Sequence, residues 1–274
     1  MKGALKVLSE QRSASKTMVG FEHVNKIFNP GSVNEVTLFH DFNLELEQGS
    51  FVSVVGSNGS GKTTMLNLLC GSLPIDSGKI IVDGQDITNL KEHERSKFIG
   101  RVYQNPAFGT CPHLTILENL ALADNKGGSF LLQRGVNKRR IDYYKTILEQ
   151  LHMGLEDKLK IPVKALSGGQ RQALALLIAT MTPLKLLILD EHTAALDPKS
   201  AEIVMELTKK VVEEKHVTTL MVTHNLKFAA DYGDRLFMMH RGNVVFDVSG
   251  EDKKLISIRD LTNRFDEISI EDGN

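Results

Sequence analysis

The apolar positions of the first fifty residues alternate more than they recur every three or four. Segments 19–28 and 36–47 read as extended. In the second, Val36, Leu38, Phe42, Leu44 and Leu46 share one parity and Phe39 breaks it. Asn29-Pro30-Gly31-Ser32 between them is a turn signal. Phe51-Val52-Ser53-Val54-Val55 is a short apolar strand that runs into a glycine-rich loop and then a helical pattern over 62–70. Further strands are predicted near 79–82, 99–103, 186–190, 218–223, 235–240 and 244–248. Helical patterns lie between several of them, so the latter half reads β-α-β-α-β, the pattern of a parallel sheet. The stretch 105–165 differs. Leu117, Leu120 and Leu122, then Ile141, Tyr144, Ile147, Leu148 and Leu151, fall at helical spacing and predict an inserted helical subdomain. Near the end, Leu255, Ile258, Leu261, Phe265 and Ile268 approximate one helix face. They predict a short helical extension over 251–274 that packs on its own domain or on a sister chain. Residues 1–17 read as a loose polar arm.

Length and composition narrow the class. A chain of 274 residues fits one large domain, or one domain with an inserted part. The net charge of −1 gives no field to attract nucleic acid, and the absence of Trp argues against a base-stacking platform. No nucleic-acid partner is expected. The N-terminus has no apolar run of signal-peptide type, and no segment approaches the ~20 residues that span a bilayer. A membrane role must therefore come through a partner. Cys70 and Cys111 are far apart and read as buried core thiols of a reducing compartment. Residues 126–140 form a local basic cluster that reads as a solvated loop and helix start.

The candidate chemistry starts at Gly56-Ser57-Asn58-Gly59-Ser60-Gly61-Lys62-Thr63, followed by Thr64. A loop that wraps phosphates with backbone N–H groups needs glycines, because the chain must turn sharply and approach closely. The helix start adds its positive dipole end. In such a loop the lysine, here Lys62, neutralises β- and γ-phosphates, and the hydroxyl of Thr63 serves Mg²⁺. A strand before and a helix after supply the context the motif requires. The loop alone does not separate kinases, GTPases and ATPases.

Two further segments do. Leu186-Leu187-Ile188-Leu189-Asp190 is an apolar strand ending in an acid, with Glu191 next to it. Such a strand holds a carboxylate at its carboxyl end, where α/β sheets bind ligands. Asp190 is then the metal-serving acid, and Glu191 is free to polarise a water. Leu166-Ser167-Gly168-Gly169-Gln170 precedes a helical run. Ser167 is a candidate N-cap and the glycines expose N–H groups, which makes a second anion-binding helix start. One site in one chain has no use for two, so the pattern points to two chains sharing each nucleotide.

With LSGGQ lying shortly before LLILDE, the chain resembles the ABC (ATP-binding cassette) ATPases from about 19 to 248. The resemblance implies an α/β fold over 18–250: a P-loop NTPase (RecA-like) core, an antiparallel β subdomain and the inserted α-helical subdomain. It implies ATP and Mg²⁺ as cofactors. Gln104 resembles the family's Q-loop glutamine, on Mg²⁺ and the attacking water; with Thr63 and Asp190 it completes the implied metal set. His224 resembles the switch histidine at the γ-phosphate, and Asp197 in Ala195-Leu196-Asp197 resembles the D-loop residue facing the sister chain. Phe28 resembles the aromatic that stacks on adenine. Where many members carry Pro or a small residue, this chain has His192. That variant resembles importer ATPases that work with a permease and a binding protein, some linked to aromatic amino acids. Leu114-Thr115-Ile116-Leu117-Glu118-Asn119 resembles branched-chain amino acid importers.

The implied machine is a head-to-tail dimer. Each ATP lies between 56–63 of one copy and 167–170 of the other, with Glu191 as base. Partners are a second copy, integral-membrane permease subunits docked near Gln104 and, indirectly, an extracytoplasmic solute-binding protein. The location is the cytoplasmic side of the membrane, peripheral through the permease. The alternative is a soluble ABC ATPase of iron–sulfur cluster assembly. Chromosome and DNA-repair relatives need a long coiled coil between Lys62 and Ser167, and this stretch has no sustained heptads.

Overall fold

The computed structural model describes residues 16–126 and 135–271. Residues 1–15 of the N-terminal arm and 127–134 of the basic cluster lie outside them. In chain order the elements are β1 (Thr17–Phe28), β2 (Val36–Glu47), β3 (Phe51–Gly56), α1 (Lys62–Cys70), β4 (Ser77–Val82), β5 (Gln85–Asp86), α2 (Glu92–Arg95) and β6 (Ile99–Val102). Then come α3 (Ile116–Asp124), α4 (Ile141–Glu149), α5 (Gly168–Thr180), β7 (Leu186–Asp190) and α6 (Pro198–Lys215). The chain ends with β8 (Thr218–Val222), α7 (Leu226–Asp231), β9 (Arg235–His240), β10 (Asn243–Ser249), α8 (Gly250–Lys254) and α9 (Ile258–Glu271).

The strands form two sheets. One is antiparallel, in the order β2-β1-β4-β5. The other runs β10-β9-β3-β8-β7-β6 and is parallel except for the edge strand β10. β7 shows why its sequence lacks alternation. Leu187 and Leu189 pack into the core made with α3 to α6, whereas Leu186 and Ile188 pack into the core made with α1 and the antiparallel sheet. A strand covered on both faces is apolar throughout. Each such side chain contributes about 1.5–3 kcal/mol by leaving water. Among the described residues no helix is long and apolar enough to cross a membrane.

Three expectations are corrected. Phe39 is fully buried and Val36 is 53% exposed, the reverse of the parity reading of β2. Val24 pairs with Phe42 but Lys26 with Phe39, so three residues of β2 oppose two of β1, and Asp41 takes a φ of 53°. This bulge switches the face of the strand. Cys111 is exposed; only Cys70 is buried, where burial pushes its thiol up to about 11 and keeps it protonated. Leu255 is 80% exposed in the break between α8 and α9, and Ile258 is 47% exposed. Leu261 carries the contact instead, buried with Val55, Ala229, Leu236 and Met238, and Phe265 and Ile268 pack beside it. The extension therefore packs on its own domain.

Candidate active site

Parallel strands end on one edge, and that edge collects residues far apart in sequence. β3 ends at Gly56, β7 at Asp190 and β8 at Val222, with Asp190 in register with Val222. Gly56 has a φ of 154°, and a Cβ there would stand 2.3 Å from the Met239 carbonyl oxygen, so only glycine lets the chain leave β3 beside β9. Ser57, Asn58 and Gly59 are exposed, and Ser60 is buried. α1 starts after Gly61, at a φ of 105°, without any side-chain cap. Its first N–H groups thus have no side-chain cap, the arrangement that suits an anion at a helix start. Lys62 is buried, and its Nζ donates to the carbonyls of Gly56 at 2.8 Å and Ser57 at 2.9 Å. Burial pushes its pKa down and the charge of Glu191 opposes that. Thr63 is exposed and Thr64 half-buried on the first turn of α1.

Asp190 is buried at the end of β7. Glu191 follows in the left-handed region, at a φ of 49°, unusual for a residue with a side chain. Its N–H donates to the Val222 carbonyl at 2.9 Å, which pins the turn to β8. His224 stands just past β8 with its Nε2 2.7 Å from Glu191 Oε1. The structure thus brings Lys62, Glu191 and His224 into one electrostatic cluster. His192 lies beneath, fully buried, with its Nε2 3.2 Å from Thr208 Oγ1. Burial pushes its imidazole down to about 4 and keeps it neutral.

Other expected residues sit apart from this cluster. Gln104 is exposed, two residues beyond the end of β6. Phe28 lies on the antiparallel sheet, paired with Val36, and the Lys26 ammonium stands 5.7 Å from its ring centre. Ser167 caps α5: its hydroxyl accepts from the Gln170 N–H and the Gln170 side chain accepts from the Ser167 N–H, both at 3.2 Å. Gly168 and Gly169 face Leu196 and Ser200 at the start of α6, where an added Cβ would come within 3.2 and 3.1 Å. Asp197 caps α6 by accepting from the Ser200 N–H at 3.0 Å. Among the described residues no hydrogen bond of 167–170 reaches the phosphate loop of the same chain.

The expected donors, the Thr63 hydroxyl, the Asp190 carboxylate and the Gln104 amide oxygen, are all hard oxygens. One carboxylate with space for phosphates is how Mg²⁺ is usually held, so the residues fit it. One residue was missed in the sequence reading. Arg101, mid-strand in β6, donates from Nη2 to Asp190 Oδ2 at 2.6 Å and from Nη1 to Asn67 Oδ1 at 2.9 Å. The available signal was a cation between Gly100 and Val102 in an otherwise apolar strand.

An anion cradle at a helix start, with an acid pair two strands away, is the arrangement P-loop nucleoside triphosphatases use. The chain belongs to the ABC transporter family, whose profile matches residues 39–194; it is an ATP-binding cassette and an ATPase of that family. It is 45% identical over 251 residues to a tyrosine transport ATP-binding protein of Clostridioides difficile (strain R20291), covering 91% of this chain and 99% of that protein. It is 33% identical over 241 residues to the spermidine/putrescine import ATP-binding protein PotA of Haemophilus influenzae (strain 86-028NP), covering 88% of this chain but 60% of that protein. Among solved structures it resembles a dimeric post-hydrolysis ATP-binding cassette bound to ADP and Pi. There the TM-score is 0.71 and the identity 30%, over 85% of this chain and 98% of that one.

Proposed function

We propose that this chain is the ATP-hydrolysing subunit of an importer for a small solute, with an aromatic amino acid such as tyrosine as the leading candidate. The observation that carries the catalytic part is the 2.7 Å contact of His224 with Glu191, beside a buried Lys62 on the same sheet edge. The 45% identity to a tyrosine transport subunit over nearly its whole length supports the solute class, and relatives named for transport and for import favour transport over iron–sulfur assembly.

In this reading the phosphates lie in the loop 56–63, where backbone N–H groups and the α1 dipole meet them. Lys62 exchanges its loop carbonyls for β- and γ-phosphate oxygens, and Thr64 adds a hydroxyl. Phe28 stacks on adenine. Thr63, Gln104 and Asp190 hold Mg²⁺, which when bound neutralises charge on the phosphate oxygens. Glu191 accepts the proton of the attacking water, and His224 holds that carboxylate in place and steadies the γ-phosphate. A second copy supplies Ser167, Gly168, Gly169 and Gln170 to the same nucleotide, with Asp197 at the contact. The γ-phosphate bridges the two copies and its loss reopens them. Permease subunits dock near Gln104, on the cytoplasmic side of the membrane, and a solute-binding protein delivers cargo from the far side.

The test of this function is affinity purification of the tagged chain from detergent-solubilised membranes, with identification of what accompanies it. A polytopic membrane protein in stoichiometric amount is expected. A soluble scaffold protein in its place would move the chain to cluster assembly.

A further inference from the structure

Arg101 is a cation where the strand pattern wants none. It pairs in register with Ile188 of β7, and its neighbours Ile99, Gly100 and Val102 are buried or nearly so. Its side chain is 11% exposed and that of Asp190 is 13% exposed. Burying two charges is unfavourable unless each is well paired; here both Nη groups of the guanidinium are bonded and its plane lies near an aromatic ring, while Nε is buried without a hydrogen-bond partner. It donates to Asp190 Oδ2 and to Asn67 Oδ1, and its carbon lies 4.7 Å from the Tyr103 ring centre. Those contacts join three pieces of the site. Asn67 is on α1, the helix that opens at the phosphate loop; Asp190 ends β7; Tyr103 directly precedes Gln104.

The geometry has a consequence for metal binding. Arg101 takes one carboxylate oxygen of Asp190 and leaves Oδ1. It also balances the charge of that carboxylate. A dication approaching Oδ1 therefore meets a carboxylate already neutralised, with a fixed positive charge behind it, in a largely buried place where screening is weak. The negative charge of nucleotide phosphates is what removes that obstacle.

We propose that Arg101 is a positioning residue for Asp190 that makes divalent-cation binding conditional on the nucleotide. It orients Oδ1 toward the metal and prevents the metal from settling on the carboxylate by itself. The proposal rests on the reading of Asp190 as a metal ligand. A structural ion pair away from the metal would lose stability when broken but would not change how metal uptake depends on nucleotide, and this difference is measurable.

The experiment follows free Mn²⁺ by electron paramagnetic resonance during titration of the purified chain, with and without ATP, each ATP titration being referred to a protein-free ATP blank because ATP itself chelates Mn²⁺. Wild type should take up Mn²⁺ with ATP and far less without it. Arg101→Gln should bind Mn²⁺ without nucleotide at least roughly ten-fold more tightly than wild type, because the opposing charge is gone. Arg101→Gln/Asp190→Asn should lose that gain, and Arg101→Lys should behave as wild type. The proposal is overturned if Arg101→Gln takes up no more Mn²⁺ than wild type, or if its extra Mn²⁺ survives in the double variant. Should Arg101→Gln not fold, Arg101→Met is titrated in its place, with the same gain in nucleotide-free Mn²⁺ affinity expected and its absence overturning the proposal. Failure of the nucleotide reading shows separately, as no ATP-dependent Mn²⁺ uptake by wild type.

Discussion

The two helix starts of this chain, α1 and α5, are built on opposite principles. α1 begins at a glycine in the left-handed region with no side-chain cap. α5 begins at Ser167 with a complete capping box closed by Gln170. A missing cap leaves a helix about 1 kcal/mol less stable, and such a start is tolerated where a ligand supplies the missing acceptors. At the open start Lys62 is parked on the loop carbonyls of Gly56 and Ser57. The capped start is rigid by itself. It presents a finished surface, with the Gly169 backbone packed close to Ser200. In the proposed function the first end binds nucleotide and the second is met by the nucleotide of a partner copy.

The largest effect comes from switching off turnover while leaving both starts untouched. Glu191→Gln keeps the shape and removes the base, so steady-state hydrolysis should fall by about 10²–10⁴ while ATP affinity stays. The ATP-bound dimer should accumulate, seen as a doubled mass in size-exclusion chromatography with ATP. Near wild-type hydrolysis would remove Glu191 from the mechanism.

Next in size is a direct contrast of the two ends. Lys62→Ala should weaken ATP binding by the single chain by about ten- to hundred-fold, since contacts to a charged group are lost. Ser167→Arg should leave single-chain affinity unchanged but block closure by its bulk. A mixed dimer of the two variants holds one doubly damaged site and one intact one. ATP-dependent cross-linking across the interface should return in that mixture and in neither homodimer. No recovery in verified mixed dimers would mean that each chain's Ser167 serves its own nucleotide.

The smallest effect isolates the cap. Ser167→Ala should cost about 1 kcal/mol of stability, read from urea denaturation, because the Gln170 N–H loses its acceptor. ATP affinity of the single chain should not change. A loss of affinity would mean that the two ends cooperate within one chain.

Local signals were legible. Loop 56–63, the Ser167 cap, the acid at the end of β7 and most strands stood in the residue pattern, because turn, cap and strand preferences act over a few neighbours. Where a single residue shifts the phase, that reading failed. The bulge at Asp41 turned Phe39 inward and Val36 outward. No local preference fixes a bulge; it is set by how β2 lies on β1.

The sequence by itself determined that a phosphate loop, an acid pair and a second helix start share one chain, and which elements carry them. Only the tertiary structure decided which side chains meet. Arg101 reaches Asp190 across 89 residues, and His224 reaches Glu191, because parallel strands bring their carboxyl ends to one edge. Such pairings depend on strand order and register, which arise from burying both faces of β7. The exposure of Cys111 and the inward turn of Leu261 rather than Leu255 were decided in the same way, by what each segment finally packs against.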